Sequence, residues 1–196
     1  MNPSARKTFL CAILLAAVVA AVFGRSCWYP FLIWDDGQHI TQNRAVNPPS
    51  VDGLVQIWKR PYFGLYIPLS YTFFAAESSI SRKPLEEGIG SRPNPAVFHA
   101  GSLLLHIGCV LLVFFLLRKL FKHDLAALAG AMLFGLHPLQ VESVAWVSET
   151  RGLLCALFSL AAIYLYLRAE PSRENWKPYA LATLCFLLCS ALVRNA

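Results

Sequence analysis

The chain has 196 residues, of which 57% are hydrophobic and 14% are charged. Soluble domains average about 45–50% apolar and roughly 25% charged residues, so the composition excludes a disordered chain and argues against an ordinary soluble domain. If the apolar residues lie in runs of about 20, the length is enough for four or five membrane helices. The net charge of +6 indicates either a nucleic-acid partner or the orientation of the chain in a membrane, depending on where the basic residues lie.

Apolar runs alternate with polar segments along the chain. The first is predicted to be an uncleaved membrane helix rather than a signal peptide, because its length of about 17 residues exceeds the usual 7–15 of a signal core. The third is too short to cross alone, since at 1.5 Å per residue it covers about 18 Å of a roughly 30 Å core. The runs are 8–24, 98–117, 125–136, 152–167 and 179–193.

These runs predict an all-α integral membrane protein with about five transmembrane helices. Residues 1–24 are expected to form a cytoplasmic N-terminus and the first transmembrane helix. Residues 25–97 form a large extracytoplasmic loop that contains an acidic pair, and residues 98–196 form the remaining transmembrane helices, which we expect to be truncated.

The distribution of basic residues predicts the orientation. The N-terminus and the connectors 118–124 and 168–177 hold eight Lys or Arg residues, whereas the turn 137–151 holds only Arg151. The positive-inside rule places the N-terminus and both connectors in the cytoplasm. We expect a multi-pass protein of the inner (plasma) membrane, with the bilayer as a partner. Because the basic charge has a topological interpretation, no nucleic-acid partner is expected.

The cysteines predict packing rather than chemistry. Five of the six lie inside apolar stretches, so no disulfide framework can be drawn from them. Cys185 and Cys189 are four residues apart but lack the CxxC spacing and the histidine partners of a zinc site. Both are interpreted as packing residues.

The long loop contains a predicted interfacial helix. Ser50 is placed to cap a helix whose apolar residues Val51, Leu54, Val55 and Trp58 follow helical spacing, with polar residues away from that stripe. This pattern is typical of a helix that lies in the membrane interface.

The acidic pair Asp35-Asp36 lies about ten residues after the first apolar run. Two adjacent carboxylates near a membrane surface are expected to bind a cation, to act as a base, or simply to be solvated in a turn. If the local chain is extended, the two side chains diverge and only one can point at a reacting atom. The pair lacks the DxD spacing that often holds a divalent ion, which argues against a metal site.

Two further groups of polar residues have a functional and a structural interpretation. His99, Ser102 and His106 share one face of the second run. They either belong to a functional site or form hydrogen bonds between helices. Arg151 opens the fourth run at the depth of a lipid phosphate, either as a phosphate ligand or as a snorkelling anchor. Small residues spaced by four in the third run predict close helix packing: Ala127, Ala131 and Gly135.

Over residues 28–192 the order of motifs resembles the membrane half of bacterial tetratricopeptide-repeat membrane proteins. These are similar to the animal transmembrane and tetratricopeptide-repeat-containing O-mannosyltransferases. The most specific stretch is HPLQVESVAWVSE, at 137–149. The other matching elements are Trp34-Asp35-Asp36 with Ile40 and Asn43, Trp58 with Pro61-Tyr62, Gly64-Leu65-Tyr66 and Pro68-Leu69, and Phe98-His99 with Leu103 and Leu105-His106.

The resemblance implies a partial GT-C-like fold and sugar transfer from a polyprenyl-phosphate donor to an extracytoplasmic protein or glycan acceptor. It implies that Asp35 and Asp36 are catalytic, that Arg151 with His99 or His137 neutralises the donor phosphate, and that Glu142 is a further candidate. The helix around Trp58 would help to form the lipid groove. No cofactor is implied, and metal dependence is left open.

Relatives in this family continue through more membrane helices and a tetratricopeptide array, so the chain is expected to be a fragment of a full enzyme. The alternative is a non-enzymatic or inactive truncated membrane protein that acts as a helix-packing partner.

Overall fold

The computed structural model describes residues 3–84, 91–169 and 176–192. The fold is almost entirely helical, with one small antiparallel pair of strands, β1 and β2, inside the long loop. The α-helices are α1 (Pro3–Phe23), α2 (Val51–Lys59), α3 (Pro68–Ile80), α4 (Pro95–Phe121), α5 (Asp124–Gly135), α6 (Gln140–Ala145), α7 (Thr150–Arg168) and α8 (Lys177–Leu192). The strands are Arg82–Pro84 and Ser91–Pro93, and the short helical turns are Gly24–Trp28, Gly37–Thr41 and Val147–Glu149.

Three helical segments in the described part of the chain are long and apolar enough to cross a membrane: Ala5–Trp28, Pro95–Phe121 and Val147–Arg168. Two shorter apolar helices, Asp124–Gly135 and Lys177–Cys189, accompany them. The prediction of an all-α multi-pass membrane protein is confirmed. The last predicted run extends to residue 193, which lies outside the described residues, and the first helix continues four residues beyond the predicted boundary as a 3₁₀ turn.

The core of the bundle lies between α1, α4 and α5. Leu15 and Val19 of α1 are fully buried against Val110 and Phe114 of α4. The small residues predicted to permit close packing are buried on α5, and a methyl group added at Gly135 would lie 2.8 Å from a methyl carbon of Val110. The prediction of a tightly packed α5 is therefore confirmed, because only a small residue admits this approach.

The start of α1 lies beside the end of α4. The Arg118 guanidinium contacts the Asp124 carboxylate at 2.6 Å, and the Thr8 hydroxyl lies 3.3 Å from the same carboxylate. These contacts make α1 and α4 antiparallel. The basic residues Lys7, Arg118, Lys119 and Lys122 therefore gather at one end of the bundle, and the described residues of the loop, 25–84 and 91–97, lie towards the other.

Helix α2 forms as predicted, and the Ser50 side chain accepts a hydrogen bond from the Gly53 backbone N–H at 2.9 Å. Its predicted apolar stripe of Val51, Leu54, Val55 and Trp58 is largely exposed, although the Trp58 indole N–H donates a hydrogen bond to the Thr72 hydroxyl of α3 at 3.1 Å. Ile57 instead anchors α2 in a second core. The exposed stripe matches a helix that lies in the membrane interface.

Helix α3 was not predicted from the sequence. Pro68 starts it, since proline suits the first helical turn. Its buried face carries both apolar and polar side chains, so hydrophobic periodicity does not distinguish it from the polar loop around it. The buried residues are Pro68, Ser70, Tyr71, Phe74, Ala75, Glu77 and Ser78.

Candidate active site at the acidic loop

The acidic pair lies in a helical turn that continues into the π-helical turn Gly37–Thr41. The extended backbone considered in the sequence analysis is therefore not present. Successive side chains on a helix point about 100° apart, so Asp35 and Asp36 still diverge. The two carboxylates consequently meet different surroundings.

Asp36 is completely buried and joins two distant parts of the chain. One carboxylate oxygen accepts a hydrogen bond from the Leu32 backbone N–H at 2.9 Å. The other accepts from the Ser148 backbone N–H at 2.9 Å and from the Ser148 hydroxyl at 2.6 Å. This geometry makes Asp36 a positioning residue that holds the acidic loop against the turn before α7.

Asp35 is only half-buried. Within the part of the chain that the structure describes, no group donates a hydrogen bond to its carboxylate. Its negative charge acts on the neighbouring His39 imidazole. Asp35 is therefore available to a ligand or a reacting group in a way that Asp36 is not.

His39 and Tyr71 were not among the predicted site residues. His39 Nδ1 and the Tyr71 hydroxyl are 2.9 Å apart in a buried hydrogen bond. Burial lowers the pKa of His39, against the opposing effect of the Asp35 and Asp36 charges. Burial likewise raises the pKa of Tyr71. Both side chains are therefore neutral near pH 7, and they can share a proton without carrying charge.

Arg151 lies in the first turn of α7, where its guanidinium is 3.6 Å from the Glu149 carboxylate. It follows Ser148, the hydrogen-bond partner of Asp36, by three residues, and its positive charge lowers the pKa of both His39 and Tyr71. The structure thus brings together five residues, which we call the loop cluster: Asp35, Asp36, His39, Tyr71 and Arg151.

The other predicted site residues lie in different surroundings. His99 is fully buried beneath the cluster, with its ring edge-on to Tyr29 at 6.4 Å between centroids, and the Asp36 charge acts on it. His137 is exposed, and its Nδ1 accepts a hydrogen bond from the Leu139 backbone N–H at 3.2 Å. Glu142 is also exposed. No contact in the described residues joins His137 or Glu142 to the loop cluster.

Ser102 and His106, the two deeper polar residues of α4, form hydrogen bonds between helices, as the structural interpretation predicted. Ser102 and Thr150 share a buried hydrogen bond of 2.8 Å between α4 and α7. The Nε2 atom of His106 lies 2.9 Å from the Gly135 carbonyl oxygen, which links α4 to α5. Both are interhelical hydrogen bonds of the kind expected inside a membrane bundle.

The described residues 3–84, 91–169 and 176–192 contain no group of three or more His, Cys, Asp or Glu side chains that could hold a metal ion.

Glu77 on α3 is a buried acid that the sequence analysis missed. Neither of its carboxylate oxygens has a hydrogen-bond partner among the described residues. The side chain packs directly onto Gly101 of α4, where an added Cβ would overlap Glu77 Oε1. Burial raises the pKa of Glu77 to about 9, so the carboxyl group is protonated at neutral pH.

We expect the stability of the protein to fall as the pH rises through the range set by Glu77. The unfolded chain releases this proton near its ordinary pKa of 4.5, whereas the folded chain retains it up to about 9. The stabilisation is therefore complete below the unfolded pKa and is lost as the pH approaches the folded pKa, at no more than roughly 1.4 kcal/mol per pH unit. Thermal unfolding in detergent across this range measures the slope.

Glu77→Gln should remove most of that slope, because the amide is neutral at every pH. Glu142→Gln is the matched control, since Glu142 is exposed, and it should retain the slope of the unsubstituted chain. Equal slopes for all three proteins would show that Glu77 is not protonated in the fold.

The fold and the site together define a helical membrane protein in which Asp35 has no hydrogen-bond donor among the described residues, while Asp36 joins its loop to the turn that precedes Arg151. No family model matches the chain, and no solved structure matches it significantly. Curated proteins do match. The chain is 27% identical over 187 residues to human protein O-mannosyl-transferase TMTC3, covering 88% of this chain.

Human protein O-mannosyl-transferase TMTC4 is 28% identical over 93% of this chain, and protein O-mannosyl-transferase F38B6.6 of Caenorhabditis elegans is 28% identical over 73%. The chain spans 19%, 26% and 21% of the lengths of TMTC3, TMTC4 and F38B6.6 respectively. Its distant homologues are thus TMTC O-mannosyltransferases, which agrees with the resemblance seen in the sequence.

Proposed function

We propose that the chain carries the catalytic loop of a membrane glycosyltransferase, which transfers a sugar from a polyprenyl-phosphate donor to an extracytoplasmic protein or glycan acceptor. The observation that carries this proposal is the contrast between Asp35 and Asp36. The Asp36 carboxylate accepts three hydrogen bonds, whereas no group among the described residues donates a hydrogen bond to Asp35.

The loop cluster suits inverting transfer. In this proposal Asp35 takes the proton of the acceptor hydroxyl as that oxygen attacks the anomeric carbon. The bond from the anomeric carbon to the donor phosphate breaks, and polyprenyl phosphate leaves with the electron pair. Arg151 lies where a guanidinium would neutralise the charge that develops on the phosphate.

The remaining residues of the site would bind the substrates or position the loop. The buried hydrogen bond between neutral His39 and Tyr71 would position the loop without competing with Asp35 for the proton. His99 lies beneath them and is proposed to support the phosphate end of the site. His137 stays a candidate ligand of the donor phosphate and Glu142 a further candidate, and both are exposed on the turn that leads into α7.

The neighbourhood of α2 would accommodate the lipid chain. A largely apolar groove of about 370 Å³ runs between α2 and α3, and the exposed apolar stripe of α2 continues from it. In this proposal α2 lies in the extracytoplasmic interface of the inner membrane, and the basic residues at the opposite end of the bundle face the cytoplasm.

The test is a transfer assay in membranes that contain the chain. We expect radiolabelled sugar to pass to protein or glycan from mannosyl-phosphate polyprenol, and not directly from a nucleotide sugar. Transfer that depends on the nucleotide sugar alone would contradict the proposed donor.

A photoreactive polyprenyl phosphate supplies a readout that does not require turnover. It should label the loop of residues 25–97, and Arg151→Ala should weaken the labelling, whereas Arg44→Ala in the same loop should not. A chain that neither transfers sugar nor binds this probe would instead fit the non-enzymatic alternative.

A further inference from the structure

The facing helices α7 and α8 hold two thiols in direct contact. The Sγ atoms of Cys155 on α7 and Cys189 on α8 lie 2.6 Å apart. Both residues are half-buried, with part of each side chain at the surface of the hairpin. Across the described residues no other pair of cysteines makes such a contact, although Cys11, Cys109 and Cys185 are also buried in the bundle.

A hydroxyl group lies against the same sulfur atoms. Ser159 is one helical turn from Cys155 on α7, and its Oγ is 3.1 Å from Cys189 Sγ. A serine hydroxyl can donate a hydrogen bond to a thiolate, which stabilises the ionised form that attacks disulfides. The site therefore has a nucleophile in Cys189, a donor that assists it in Ser159, and a resolving partner in Cys155.

We infer that Cys155 and Cys189 form a redox-active dithiol, whose oxidised form is an interhelical disulfide that locks α7 to α8. This replaces the sequence-based view of Cys189 as a packing residue. Cys155 lies five residues after Thr150, the first residue of α7, and so near the end of the bundle that holds the loop cluster. If that end faces outside the cytoplasm, as the basic residues predict, the pair lies on the side where disulfides persist.

The oxidation is a thiol–disulfide exchange with a disulfide-bearing oxidant, either a protein disulfide oxidase or a small-molecule disulfide. The Cys189 thiolate attacks one oxidant sulfur and forms a mixed disulfide, and the other oxidant sulfur leaves as a thiolate. The Cys155 thiolate then attacks Cys189 Sγ and releases the second oxidant sulfur. The protein loses two electrons and two protons, and the oxidant becomes a dithiol or two thiols.

Counting free thiols in native membranes tests the inference. Membranes carrying the full chain are treated with oxidised glutathione, quenched in acid, denatured and labelled with a maleimide polymer that adds visible mass per thiol. The chain has six cysteines, so an internal disulfide leaves four labelled before reduction and six after it. A second arm uses an oxidised periplasmic-type disulfide oxidase in place of glutathione.

The single variants identify the pair. Cys189→Ser lacks the attacking thiol and should show five labelled thiols, out of the original six, both before and after reduction. Cys155→Ser lacks the resolving thiol and should trap the mixed disulfide on Cys189, so it should show four labelled thiols before reduction and five after it. Cys109→Ser is the matched control, because Cys109 is another buried thiol that contacts α7, from α4. This variant should still gain two labelled thiols on reduction. Ser159→Ala should slow the oxidation several-fold, whereas Thr183→Ala on α8 should leave the rate unchanged.

Three results would overturn the inference: six free thiols after treatment with both oxidants, only three free thiols in oxidised Cys155→Ser, or a disulfide found only between two chains on a non-reducing gel. The thiol count does not depend on sugar transfer. Failure of the disulfide test therefore does not contradict the proposed glycosyltransferase function, and failure of the transfer assay does not contradict the disulfide.

Discussion

Asp35→Asn is expected to reduce sugar transfer from a polyprenyl-phosphate donor by at least about a hundredfold, the usual scale for loss of a general base. The amide retains the size of the side chain but cannot take a proton. Because no described group donates a hydrogen bond to Asp35, its thermal unfolding temperature in detergent should stay that of the unsubstituted chain. Initial rates with saturating donor, measured beside unfolding curves, separate the two effects.

Asp52→Asn is the matched control for this result. Asp52 lies in the same loop, in the first turn of α2, and its side chain is exposed. It should therefore transfer sugar at the unsubstituted rate. If Asp35→Asn transfers sugar at the same rate as Asp52→Asn, Asp35 is not the catalytic base.

Asp36→Ala, unlike Asp35→Asn, should destabilise the fold, with a loss of about 3 kcal/mol in the free energy of unfolding. The substitution leaves the Leu32 and Ser148 donors without their acceptor in a buried site. Activity should fall as well, since the acidic loop loses its anchor to the turn before α7. Thermal or denaturant unfolding in detergent measures the change.

Ser148→Ala provides the comparison, because it removes only the hydroxyl donor and retains the backbone N–H bond to Asp36. We expect it to cost about 1 kcal/mol. The double variant should lose less than the sum of the two single losses, since the residues share one interaction. An Asp36→Ala protein as stable as the original would mean that the loop is held by other contacts.

Much of the architecture was predictable because it depends on local patterns. A bilayer requires long apolar helices, so α1 and α4 were evident from composition alone. Ser50 follows two prolines and precedes an amphipathic stretch, and this local arrangement is sufficient to predict a capped helix. The Ala-Gly stripe of α5 likewise encodes close packing in its own spacing.

Other features depend on contacts between distant segments, which local sequence patterns do not predict. Helix α2 was predicted, but Ile57 rather than the apolar stripe joins the core, and the stripe stays largely exposed. Helix α3 was missed because Glu77 and its serines break the apolar period. Glu77 is tolerated only because Gly101, on another helix, leaves space for its carboxyl group.

The sequence by itself determined a multi-pass helical membrane protein with an acidic pair after its first span, since chain length, apolar runs and adjacent carboxylates are all local properties. Only the tertiary structure decided that Asp36 anchors the loop while Asp35 is free, and that His39, Tyr71 and Arg151 lie beside them. The physical reason is distance along the chain. The Asp36 to Ser148 hydrogen bonds join residues 112 positions apart, and such contacts exist only once the helices have packed.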